Sequence, residues 1–114
     1  MNEELVKEWT KKAEEDCLAV EELYKISVRR FAAIICFHAQ QCAEKYLKAL
    51  LISYNIEPPR THSLETLLDS IVDNVPELEQ YRDMLTGLTP YSVEYRYPGV
   101  AATSDDAEYC VETV

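Results

Sequence analysis

Glycine is nearly absent: Gly87 and Gly99 are the only two in 114 residues. Tight hairpins need residues that tolerate positive φ, so a chain this poor in glycine makes few of them, and sheet-rich folds are disfavoured. Histidine is equally scarce, and His38 and His62 have no third ligand at zinc spacing. The four cysteines, Cys17, Cys36, Cys42 and Cys110, include no C-x-x-C pair. Cys36 and Cys42, six apart, point to different faces of a helix. Also missing are the phosphate-cradling G-x-x-x-x-G-K-[ST], the dinucleotide G-x-G-x-x-G, the zinc-peptidase H-E-x-x-H and the esterase G-x-S-x-G. No Lys/Arg run with interleaved aromatics marks a single-strand groove. No apolar run reaches the roughly 20 residues that cross a bilayer, and the chain starts without a charged-then-apolar leader. These absences predict a cytoplasmic protein with no membrane, no metal, no cofactor, and cysteines that are reduced, packed thiols.

What is present suits a single domain over residues 1–114, with 47% apolar and 28% charged residues. The net charge of −10 is unevenly spread. Residues 1–24 set three lysines against eight acids, a net of −5. Residues 25–60 set six basic residues against two acids, a net of +4, and residues 61–114 set two against eleven, a net of −9. A basic middle in an acidic chain can hold an anion locally, and a basic partner can equally dock on the acidic flanks.

Helical periodicity dominates. Leu5, Trp9, Ala13, Cys17, Val20 and Tyr24 recur at three- and four-residue steps and predict a first helix over 3–24. Asp16 lies beside that apolar stripe, as a boundary carboxylate or as an acid orienting a base on the next helix. Ser27 is a candidate cap for the second and longest helix, 29–54. There Phe31, Ile35, His38, Cys42, Ala49 and Ile52 share one side, and the apolar arc passes half the circumference. Gln40, Gln41, Glu44, Lys45 and Lys48 form a narrow polar face. One neighbour cannot cover so wide an arc, which puts this helix at the centre of a bundle with part of its surface in a dimer interface. Asn55 ends it before Pro58 and Pro59. Thr61 or Ser63 caps a third helix, to about 73, with Leu64, Leu67, Leu68, Ile71 and Val72 buried. Pro76 opens a fourth, to about 87, with Leu78, Tyr81, Met84, Leu85 and Leu88 inward, before Gly87 and Pro90 interrupt it. Thr103 or Ser104 starts a last helix.

Three features suggest chemistry. His38, Gln41 and Lys45 are three and four apart on one side of the long helix, where imidazole, amide and ammonium can hold a phosphate or order a water; the same spacing suits an interfacial histidine among solvated polar residues. Arg60 and His62 lie beside a helix start whose free amides attract anions, although capping alone explains that stretch. Arg96 between Tyr95 and Tyr97 can stack and pair with a phosphate or carboxylate, or tie structurally to Asp16.

Phe37–Leu51 (F-H-A-Q-Q-x-A-E-K-x-L-K-A-L-L), Pro59–Leu64 (P-x-T-H-S-L) and Arg96–Pro98 (R-Y-P), with the Trp9, Ala13, Asp16 spacing, together resemble the HEPN domain, the nucleotide-binding domain of higher eukaryotes and prokaryotes. The resemblance implies an all-α, up-and-down bundle of four to five helices around a long central second helix, commonly a homodimer. It also implies a minimal nucleotidyltransferase partner, as in toxin–antitoxin pairs, and a nucleotide or RNA as ligand. Ribonuclease members carry Arg, four to six residues, then His. Here Arg30 precedes His38 by seven intervening residues, Arg29 by eight, and Arg60 precedes His62 by one. The expectation is therefore an accessory binding module lined by His38, Gln41, Lys45 and Arg96, with Asp16 orienting them and Tyr97 as a stacking wall. The alternative is a metal-independent endoribonuclease toxin using His38 or His62 with Arg96.

Overall fold

The apolar spacing of the N-terminal segment is realised as a 25-residue helix, α1 (Glu3–Ser27). The structure is a computed structural model that describes residues 2–92 and 104–113. α1 runs three residues beyond its expected end, and Ser27 does not cap α2: its hydroxyl accepts from the Arg30 amide at 3.2 Å and its carbonyl from the Phe31 amide, both in the turn between the helices. α2 (Ala32–Ser53, 22 residues) consequently starts later than expected, so α1 and not α2 is the longer helix. Asn55, at φ 60°, reverses the chain after α2, a left-handed conformation that asparagine tolerates better than most residues.

α1 and α2 are antiparallel. Asn2 meets Asn55, Trp9 meets Lys48, and Asp16 meets Lys45 along their seam. α3 (Leu64–Ile71) is capped by Ser63, whose hydroxyl accepts from the Thr66 amide at 3.2 Å. Thr61 instead accepts from the Ser63 amide at 3.0 Å. All four of Leu64, Leu67, Leu68 and Ile71 are buried; Val72 is only partly so. Pro76 opens a 3₁₀ segment (Pro76–Tyr81), and α4 proper is Arg82–Leu88. Of its expected inward residues, Leu88 is buried and Leu78 and Leu85 pack at the edge, whereas Tyr81 and Met84 are exposed. Gly87 does not interrupt α4; it lies within it, where a Cβ would collide with the Tyr109 hydroxyl of α5 (Ser104–Thr113). A second 3₁₀ turn, Thr89–Ser92, is tied to α5 by Tyr91, whose hydroxyl donates to Asp106 at 2.8 Å.

The result is an all-α up-and-down bundle with α2 at its centre, and no strand among the described residues. α2 supplies Ile35, Cys36, Ala39, Leu47 and Leu51 to the core, against Val20 of α1, the α3 leucines, and Ala107 and Cys110 of α5. Its polar face is not a solvent face. Gln40 is fully buried and Glu44 is 3% exposed, because the loop before α3 folds over them. The exposed part of its apolar arc is Ile34, Tyr46 and Tyr54.

The expectation of four reduced thiols fails for two of them. Cys17 and Cys42 form a disulfide across the α1–α2 seam. Comparing Cys36 with Cys42 on one helix misses this pairing, because the partner of Cys42 sits on the other helix. The cytoplasmic expectation drew partly on unpaired cysteines, and this bond removes that support. Cys36 and Cys110 are free and buried together, and the hydrogen bond between them and their burial push the Cys110 thiol above its ordinary range. The air-oxidised protein is therefore expected to show two free thiols when unfolded without reductant and four after reduction. Closing a chain separation of 25 residues makes reduction cost about 3 kcal/mol of stability on a chain-entropy argument, measurable by urea unfolding with and without reductant. A count of four before reduction would refute the pairing.

Candidate functional site

The α1–α2 seam brings three of the six expected site residues together at one carboxylate. Asp16, 6% exposed, accepts from His38 Nδ1 on one oxygen at 2.6 Å and from Lys45 Nζ on the other at 2.6 Å. A carboxylate only accepts, so Nδ1 carries the hydrogen and Nε2 is left as the second ring nitrogen for other chemistry. His38 and Lys45 remain partly open to solvent. Asp16 is thus withdrawn from solvent and bonded to His38 and Lys45, not a solvated boundary carboxylate. Phe37 packs edge-on to the His38 ring at 5.3 Å and limits how it turns.

Gln41 does not join this cluster. Its amide donates to Gln40 Oε1 at 2.8 Å and so leads into a second carboxylate centre that the sequence reading missed. Glu44 accepts from His62 Nδ1 at 3.0 Å and Gln40 Nε2 at 3.1 Å on one oxygen, and from Lys48 Nζ at 2.9 Å on the other. Gln40 also donates to the His62 carbonyl at 3.0 Å, pinning the loop. The two centres repeat one pattern: a buried carboxylate, an imidazole on one oxygen and a lysine on the other. The i, i+4 spacing of Gln40, Glu44 and Lys48 was visible in the sequence; the burial that makes it a network was not. Arg96 and Tyr97 lie outside the described residues. No cluster of metal-ligating side chains occurs among the described residues.

Electrostatics keep Glu44 charged. Burial alone pushes its carboxyl up, but hydrogen bonds from Lys48, His62 and Gln40 together outweigh that and hold it below its ordinary 4.5. No buried side-chain nitrogen or oxygen is left without a partner among the described residues. The lysines at 45 and 48 and the imidazole at 38 fall on one stripe of α2, with His62 held beside it from the loop.

The chain is, by class, an all-α helical bundle whose α1–α2 seam carries carboxylate-held imidazoles and lysines. The pattern of the HEPN domain matches residues 6–114, and the chain belongs to the HEPN family. The crystal structure of an archaeal HEPN homologue is similar to it at a TM-score of 0.73 and 30% identity, covering 95% of this chain and 87% of that one. No curated protein matches. The helices of the described residues include none long and apolar enough to cross a membrane.

Because the folded Glu44 sits below its unfolded value, its stabilisation is complete above about pH 4.5 and is lost as pH falls through the folded value. Glu44→Gln is expected to lower stability by about 1–3 kcal/mol at pH 7, by weakening the bonds to Lys48 and His62. The loss should shrink as pH falls through the folded carboxyl's own lowered value, where the native side chain also takes up its proton. Urea unfolding across that range checks it; a penalty independent of pH would show that the charge is immaterial.

Proposed function

We propose that this HEPN domain binds the phosphates of a nucleotide or RNA strand along the α1–α2 seam, as an accessory module to a minimal nucleotidyltransferase. The observation that carries the reading is the doubled centre: Asp16 holds His38 and Lys45, and Glu44 holds His62 and Lys48. Each carboxylate fixes two donors on long or rotatable side chains, which lowers the ordering cost when an anion arrives. A third basic position, Arg96, supplies a further phosphate contact on this reading, with Tyr97 stacking. The charge of +4 over residues 25–60 concentrates positive potential where the motif falls, despite the net −10.

The test is binding of a short single-stranded RNA by fluorescence anisotropy, with salt dependence. The double variant His38→Gln, Lys45→Gln is expected to weaken binding about tenfold and to flatten the salt slope, as loss of phosphate contacts requires. Unchanged affinity with an unchanged melting temperature would refute the reading. Co-purification of a nucleotidyltransferase encoded beside the chain tests the partner.

The anchored imidazoles also favour a second reading, an endoribonuclease. Nδ1 on a carboxylate with Nε2 left over is the arrangement a general acid or base needs. Metal-independent cleavage of RNA that disappears in both His38→Ala and His62→Ala would establish it over the first.

We further propose, from the HEPN resemblance, that the domain is a homodimer. Tyr46, Tyr81 and Met84 are exposed around a shallow apolar groove of about 170 Å³ between α2 and α4, lined also by Leu47, Leu78 and Leu85. Tyr46→Glu with Met84→Glu is expected to convert dimer to monomer in light scattering; a dimer that survives both would place the interface elsewhere.

A further inference from the structure

Beyond the two carboxylate centres, the α1–α2 seam ends in a cleft of about 600 Å³ between the first turns of α1, the end of α2 and the loop that follows. That volume suits a small organic ligand. Its walls are Trp9, Ile52, Ile56, Pro58 and Pro59, a flat apolar lining with an indole on one side. Its cations are Lys48 and Arg60. Lys48 stands over the Trp9 ring at 5.5 Å while one of its three donors is spent on Glu44. Arg60 is exposed and offers a guanidinium fork that matches a phosphate. Glu57 also lines the cleft, and a carboxylate beside two cations suits hydroxyl donors of a sugar and not a second anion. Asn2 and Asn55 also line it, the Asn2 amide donating to Asn55 at 3.2 Å.

We propose that this cleft is a terminal-nucleotide site: a base lies against Trp9 and the Pro58–Pro59 wall, a phosphate is held by Arg60 and Lys48, and ribose hydroxyls face Glu57. The choice of ligand class rests on the functional reading above; the site and its residues do not. It gives the Pro59–Arg60 motif a role separate from capping α3, since the first-turn amides of that helix donate to Ser63 and Thr89. Bases stack on aromatic rings in single-strand binders whatever their identity, and the phosphate adds a charge that the Arg60 fork reads in a defined direction. Lys48 links the cleft to Glu44 and hence to His62. A nucleotide seated here therefore lies at the end of the same polar seam along which the rest of a strand would run.

Trp9 is the only tryptophan in the chain, so its fluorescence reports the cleft directly. Uridine 5′-monophosphate is expected to quench it saturably, with uridine and inorganic phosphate each at least tenfold weaker. Arg60→Glu should weaken the nucleotide at least tenfold, and Trp9→Leu, followed by calorimetry, should do the same while leaving the fold intact by circular dichroism. A tetranucleotide bearing a 5′-phosphate is compared with its 5′-hydroxyl form. Tighter binding of the phosphorylated strand than of the mononucleotide identifies an RNA end as the source, and the reverse identifies a free nucleotide. No saturable quenching, indifference to Arg60→Glu, or inorganic phosphate binding as tightly as the nucleotide would overturn the site. If that happens while the His38, Lys45 variant still weakens RNA binding, the seam reading survives and only the cleft assignment falls.

Discussion

Two carboxylates are almost wholly withdrawn from water, and the surroundings of the seam follow from that constraint. A buried carboxylate that lacks partners costs several kcal/mol, so Asp16 and Glu44 must each be supplied with donors. The chain meets the requirement twice in the same way, with one imidazole Nδ1 and one lysine ammonium per carboxylate. Asp16 draws its donors from the neighbouring helix, locking the relative height of α1 and α2. Glu44 draws two donors from its own helix, Gln40 and Lys48, and one from the loop, His62, locking that loop across α2. The Cys17–Cys42 bond falls beside the first centre and reinforces the same seam.

The functional consequence is preorganisation. His38, His62, Lys45 and Lys48 would lose conformational freedom on meeting an anion, and here much of that loss is taken during folding. The arrangement also decides which imidazole nitrogen is left over. Both histidines present Nε2 once Nδ1 is committed; that nitrogen takes up a proton when the ring is neutral and donates to a phosphate once the ring is charged. That shared geometry is why a binding module and a ribonuclease are separated by the measured reaction and not by the seam alone. The groove at Tyr46, Tyr81 and Met84 lies between α2 and α4, and the seam between α1 and α2, so a dimer built on the groove leaves the seam to a ligand.

Much of the fold was legible because it rests on local periodicity. The Leu64, Leu67, Leu68, Ile71 spacing has one reading, a buried helical face, and Ser63 caps it. Boundaries shifted between the first two helices: α1 continues to Ser27 and the turn that follows delays α2 to Ala32. At Pro76 the chain opens as 3₁₀, since proline at a first turn is compatible with either helix. Gly87 was misjudged for a different reason. Its role is to admit the Tyr109 side chain, a contact 22 positions away, which no local pattern encodes. The site was half legible. Spacing placed His38 and Lys45 on one side of α2 and Asp16 at a stripe edge, and these do converge. Gln41 was grouped with them on spacing alone, yet its amide turns to Gln40 because the buried network there offers an acceptor.

The glycine count, the three-and-four spacing of apolar residues and the HEPN motif determined by themselves that the chain is an all-helical bundle centred on its second helix. They could do so because helix formation and amphipathic burial are decided within a few residues of chain. Which polar residues are buried, which cysteines pair, and which cations share a carboxylate depended on the loop before α3 closing over α2 and on the vertical register of α1. Those are contacts between positions tens of residues apart, where the energy comes from desolvation and geometry that only the assembled tertiary structure supplies.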